Sequence, residues 1–166
     1  MEISLSELAK FLVEAKKNTY AIGNKNAVSE RKNFDELEYR KGKWYYRDSY
    51  YGFFRAPGQE FIRFDEEPVW AMAYNGGMRE GFLEGIDFAE ETYSFLKKAL
   101  ALVDEKRPFR GPNNFEEGDF LYKDSSIGDL IEFKGSESIL YKGKEVFRQD
   151  YIGGLVIDKE KHKLIR

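Results

Sequence analysis

Polar and apolar positions change period several times along the chain, and each change marks an element. Leu5, Leu8, Phe11, Leu12 and Ala15 recur at helical spacing, with Glu7, Lys10, Glu14 and Lys17 on the other faces. This predicts an amphipathic helix over about 5–17. Ser4 and Glu7 open it with capping-box spacing, hydroxyl and carboxylate each meeting a free N–H of the first turn. Residues 18–33 are polar and rich in turn formers (Gly23, Asn24, Asn26) and read as an insertion. From Leu37 the period becomes two. Leu37 and Tyr39 alternate with charges, Lys41-Gly42-Lys43 reads as a turn, and Trp44-Tyr45-Tyr46 resumes as strand. Strands at 52–54, 60–64 and 69–74 complete an antiparallel meander, broken at Pro57-Gly58 and Glu66-Glu67-Pro68 and ended by Asn75-Gly76-Gly77.

Asp87 and Glu90 repeat the capping-box spacing and predict a second helix to about residue 104. It carries two apolar stripes, one through Phe88, Thr92, Phe95, Ala99 and Leu102 and one through Tyr93, Leu96, Leu100 and Val103. Such a helix is sandwiched or sits at an interface. Pro108 and Pro112 bar helix from the loop that follows. A second meander is expected at 119–123, 129–133, 138–141 and 145–151, with a turn at Lys142-Gly143-Lys144, then a closing hairpin of 155–157 with 163–165.

The two meanders share a sequence. Tyr46, Asp48, Ser49 and Gly52 recur 76 residues on as Tyr122, Asp124, Ser125 and Gly128. At an offset of 77, Gly58-Gln59-Glu60 meets Gly135-Ser136-Glu137, Trp70 meets Phe147, and Tyr74-Asn75-Gly76-Gly77 meets Tyr151-Ile152-Gly153-Gly154. The expectation is one compact α+β domain over 1–166. It is internally duplicated, each half a helix plus an antiparallel β-meander (about 4–83 and 87–166), and the halves are related by pseudo-twofold symmetry.

Composition narrows the functions. The 166 residues are 42% hydrophobic, 34% charged and 16% aromatic, which is globular. A net charge of −3 supplies no global attraction to nucleic acid or acidic lipid. There is no cysteine, so disulfides and thiolate chemistry are excluded. With no signal-peptide pattern at Met1-Glu2-Ile3-Ser4 and no membrane-length apolar run, a cytoplasmic protein without membrane association is expected. No cofactor or metal is implied: Asp65, Glu66 and Glu67 are adjacent and point apart, and the lone His162 lies in a lysine-rich turn.

Glu60 and Glu137 occupy matching positions, so an axis near them brings two carboxylates together, as acid/base pairs require. The alternative is a turn glycine before a solvated edge-strand glutamate. Asp48 and Asp124 end matching strands, where Asp-Ser suits a turn and ligand contact is the alternative. Aromatic density around Tyr46, Trp70 and Tyr74 exceeds what one sheet face buries, and suggests stacking and hydroxyl contacts for a small molecule. Arg110 is a candidate anion anchor, or a partner of Glu116 or Glu117. Nucleic acid is disfavoured because acidic residues offset Arg47, Arg55 and Arg63. The leading expectation is a non-catalytic small-molecule-binding domain using Tyr46, Asp48, Glu60, Trp70, Tyr74, Arg110 and Glu137. The alternatives are a cofactor-free hydrolase or isomerase using Glu60 and Glu137, and a homodimer built on the helix around Tyr93 and Leu96.

The string Tyr46-x-Asp48, Gly52, Gly58-Gln59-Glu60, Val69-Trp70-x-Met72-x-Tyr74-x-Gly76, then Arg110-Gly111-Pro112 and Gly135-x-Glu137, resembles an uncharacterised prokaryotic domain-of-unknown-function family over nearly the whole chain. Some bacterial members stand behind a helix-turn-helix domain, and the resemblance therefore implies a ligand-sensing module by analogy. Two isolated helices separated by a meander form no helix-turn-helix here.

Overall fold

The computed structural model describes residues 3–20, 29 and 31–159. Among them are two helices, α1 (Leu5–Asn18) and α2 (Ile86–Leu100), and eight strands. The strands are β1 (Asp35–Lys41), β2 (Trp44–Tyr50), β3 (Gly58–Phe64), β4 (Glu67–Met78), β5 (Asn114–Glu117), β6 (Phe120–Gly128), β7 (Glu132–Tyr141) and β8 (Lys144–Leu155). All pair antiparallel in one sheet of order β1-β2-β3-β4-β8-β7-β6-β5. The fold is therefore α+β, with more of the described residues in strands than in helices. Two four-strand meanders meet along β4 and β8, so both halves share one sheet.

The α1 capping box forms as expected: the Glu7 N–H donates to Ser4 Oγ at 3.2 Å and the Ser4 N–H to Glu7 Oε2 at 2.9 Å. Its buried face carries Leu8, Ala9, Phe11, Leu12 and Ala15 onto a core containing Ile62, Trp70, Met72, Phe109 and Phe133. A second core gathers α2 residues Ala89, Phe95, Leu96 and Ala99 with Met78, Phe120, Ile139 and Phe147.

Several expectations need correction. Helix α2 starts at Ile86 after Gly85, which makes no side-chain cap, so Asp87 is a first-turn acid rather than an N-cap. Both of its stripes are partly used within the chain: Phe95 of the first and Leu96 of the second are buried, and the Tyr93 hydroxyl donates to the Phe53 carbonyl at 2.6 Å. Residues 52–54 are loop, and β5 is an additional short strand. Strand β4 does not stop at Asn75-Gly76-Gly77, since these residues stay paired with Asp150, Gln149 and Arg148. A Cβ at Gly76 would lie 2.2 Å from the Arg148 carbonyl oxygen, so the glycine permits close strand approach rather than ending the strand. The second strand of the expected closing hairpin (163–165), residues 21–28 and 30 of the insertion, and His162 lie outside the described residues.

Candidate functional site

The side chains at issue stand on the helix-covered face of the sheet, where register sets them in rows. In one row Asp48 pairs with Glu60 and Glu60 with Met72. The next row reads Tyr50, Gly58, Tyr74, Tyr151, Gly135 and Ser126, crossing from one meander to the other. Beyond it Gly76, Gln149, Glu137 and Asp124 align. Two Asp–Glu pairs thus flank a central pair of tyrosines.

The glycines in the tyrosine row are strand residues, not turn residues. A Cβ at Gly58 would meet the Tyr74 hydroxyl at 2.4 Å, and one at Gly135 the Tyr151 hydroxyl at 2.3 Å. Each tyrosine lies across its cross-strand glycine and donates to an aspartate, Tyr74 to Asp48 Oδ1 and Tyr151 to Asp124 Oδ1, both at 2.7 Å. The reading of Gly-x-Glu as a turn before a solvated glutamate therefore fails. Glu60 is 2% exposed and Glu137 0%. Asp48 and Asp124 likewise lie within strands and below the surface, not in turns.

Buried carboxylates need counter-charges, and helix α1 and the loop after α2 supply them. Lys16, from the apolar face of α1, bonds Glu60 Oε2 at 2.5 Å. Arg110, from the loop after α2, bonds Glu137 through both Nε (3.1 Å to Oε2) and Nη2. Its Nη1 lies 3.7 Å from Glu60 Oε1, and its guanidinium sits 5.7 and 5.8 Å from the Tyr74 and Tyr151 ring centres. Arg107 reaches Asp124 at 3.0 Å. The arginines of this loop thus pair with distant strand carboxylates rather than with Glu116 or Glu117, and Glu117 pairs with Lys98 instead. Glu137 is further satisfied by the Tyr122 hydroxyl at 2.7 Å and the Gln149 amide at 3.1 Å.

Burial, with Glu60 as a second cause, pushes the Asp48 carboxyl up to about 7. Burial raises Asp124 to about 6, against the lowering pull of Tyr151 and Arg107. Burial also holds Tyr46, Tyr74 and Tyr122 well above the usual phenol range, so their hydroxyls serve as donors. Desolvation lowers Lys16 against the opposing pull of Glu60.

A cavity of about 480 Å³ opens over the Asp48 side of this network. Lys16, Tyr46, Asp48, Glu60, Tyr74 and Arg110 line its floor, and Phe53, Tyr93, Leu96 and Leu100 its apolar walls. Five of the seven residues expected to bind a ligand therefore share one cavity. Trp70 and Glu137 do not line it. Trp70 is core, stacked 5.7 Å from Phe133, and its buried indole N–H has no acceptor among the described residues. Glu137 lies behind Arg110, which it engages fully enough to remove that arginine as a simple anion anchor. Lys16 and Gln149 were missed by the pattern reading. Lys16 carries a visible signal, because it continues the apolar stripe of Leu5, Leu8 and Leu12 at four-residue spacing.

Among the described residues no three of His, Cys, Asp and Glu converge as metal ligands, and no described helix is long and apolar enough to cross a membrane. No curated protein and no solved structure matches the chain. Residues 48–156 match the family model described as Domain of unknown function (DUF5680), a span that begins at Asp48 and contains Glu60, Tyr74, Arg110, Glu137 and Tyr151. The chain belongs to that family.

Proposed function

We propose that the domain binds a small organic ligand, without chemistry, in the cavity between α2 and the sheet. One observation carries this reading: aromatic and aliphatic walls close over a floor of Asp48, Glu60, Lys16, Tyr46 and Tyr74 in about 480 Å³. That volume and mixture are typical of small-molecule sites. The proposal treats about 4–83 and about 87–166 as copies of one unit around a pseudo-twofold axis at Tyr74 and Tyr151. The matched pairs Asp48–Glu60 and Asp124–Glu137 support that view. A ligand-sensing role in a cytoplasmic protein follows by analogy with the helix-turn-helix fusions of the family resembled.

The test is a metabolite library screened by thermal shift and ligand-observed NMR against the native chain and Ala56→Trp, which fills the cavity from a loop. Compounds that stabilise the native chain and not the variant are expected. No cavity-dependent binder across the library overturns the reading.

Acid/base catalysis is the second reading, favoured by a carboxyl of Asp48 near 7 beside Glu60. Asp48 with Glu60 is then the pair, in place of Glu60 with Glu137, because Glu137 has no room for a further partner. Tyr93 and Leu96, the residues expected to build a homodimer, pack against the chain's own second core.

A further inference from the structure

Each cation of the network has a carboxylate of its own: buried Lys16 has Glu60, buried Arg110 has Glu137 and half-buried Arg107 has Asp124. Asp48 is the carboxylate left over. It is 2% exposed, accepts one hydrogen bond from Tyr74, and has no cation at ion-pair distance among the described residues. An unpaired buried carboxylate is costly, and Asp48 faces the cavity.

The other meander displays what such a position takes. Asp124 stands to Glu137 and Tyr151 as Asp48 stands to Glu60 and Tyr74. There the Arg107 guanidinium lies 3.0 Å from Asp124 Oδ2 and is steadied by the Asn113 side chain and the Gly111 carbonyl. Asp48 has no such cation beside it among the described residues and lines the cavity.

We propose that this cavity takes a small organic cation, a primary amine or a guanidine on an apolar body, with its charged head on Asp48 and its body against Phe53, Tyr93, Leu96 and Leu100. The assignment rests on the ligand-binding reading above and names the class of ligand. Tyr74 and Tyr46 line the cavity beside the carboxylate, and their hydroxyl oxygens can accept from an ammonium or guanidinium head. Lys16 and Arg110 do not repel it strongly, being neutralised by Glu60 and Glu137. The remaining charged lining residues, Asp35 on β1 and Glu90 and Lys97 on α2, sum to one negative charge. With Asp48 titrating at about 7, the cation binds its ionised form and holds it ionised.

The experiment titrates the isotope-labelled chain with benzylamine and benzamidine, using benzyl alcohol and benzoate as neutral and anionic controls. The cations are expected to shift amide signals of Tyr46, Gly76 and Leu100, and to bind about tenfold tighter than the controls. Asp48→Asn, which keeps an acceptor for Tyr74, is expected to remove that preference. Benzamidine stays cationic throughout, so its affinity for the native chain should fall from about pH 8 to about pH 6 as Asp48 takes up a proton. This pH arm does not depend on whether the variant folds. Controls binding the same residues as tightly as the amines, or a benzamidine affinity flat with pH, overturn the cation assignment and leave the cavity reading standing. No probe shifting those residues also overturns it. The cavity reading itself fails only if the library shows no difference between the native chain and Ala56→Trp.

Discussion

Arg110 is the side chain on which both halves of the buried network depend, and Arg110→Met tests that dependence. Methionine keeps the apolar stem beside Tyr74 and Tyr151 and removes the guanidinium alone. Glu137, at 0% exposure, then keeps only the Tyr122 hydroxyl and the Gln149 amide, two neutral donors for a full charge. Glu60 loses the second of its two cations and keeps Lys16. Breaking one partner of a buried pair costs about 3–5 kcal/mol, because the other is left uncompensated. That is a large share of the 5–15 kcal/mol by which domains of about this size are stable. With a urea m-value of about 2 kcal/mol/M, the unfolding midpoint should fall by about 2 M. The double variant Arg110→Met/Glu137→Gln removes the stranded charge and keeps an acceptor for Tyr122, so it should recover about half the loss. A midpoint shift under about 0.5 M for the single variant, or a double variant less stable than the single, refutes the reasoning.

Three further outcomes follow from the same geometry. Asp48 titrates at about 7 when folded against about 3.9 unfolded, so its contribution is fully present below about pH 4 and lost as pH rises through about 7. In urea melts the native chain should therefore lose ground to Asp48→Asn between about pH 5 and pH 8, and a gap constant with pH contradicts the shift. Trp70→Ala should cost about 3–5 kcal/mol as a core truncation. Trp70→Phe should cost much less, since the indole N–H has no acceptor to lose among the described residues; equal losses would show that the indole serves something beyond packing. Gly135→Ala places a methyl 2.3 Å from the Tyr151 hydroxyl and 2.8 Å from the Ser125 carbonyl oxygen. It should destabilise by about 1–3 kcal/mol in thermal melts, and a neutral result would mean that the tyrosine does not lie across the glycine.

Elements with a local cause were legible in the chain. The α1 boundaries followed from a capping box and a 3.6-residue stripe, both properties of neighbouring residues. The hairpin turns at Gly42 and Gly143, and most strands, followed from period-two alternation between turn formers. The recurrence of Tyr-x-Asp, Gly-x-Glu and Tyr-x-Gly-Gly drew attention to positions that the fold places in adjacent rows of one sheet, but their surroundings were not readable locally. Glycine is a turn former by propensity, and only the neighbouring strand makes Gly58 and Gly135 seats for tyrosine rings. Gly76 and Gly77 misled for the same reason, since pairing to β8 carries β4 through them.

Apart from Lys16, whose place on the apolar stripe of α1 is legible, the burial of charge was decided by tertiary structure. Glu60, Glu137, Asp48 and Asp124 resemble surface acids in sequence, and Arg107 and Arg110 resemble surface bases. Their partners lie 17 to 44 positions away along the chain, and no pattern rule spans that distance. What the chain determined alone is which residues favour helix, strand and turn, because those preferences act between neighbours. What the fold decided is which carboxylate each cation meets and which one is left facing a cavity, because ion pairing depends on register across the sheet.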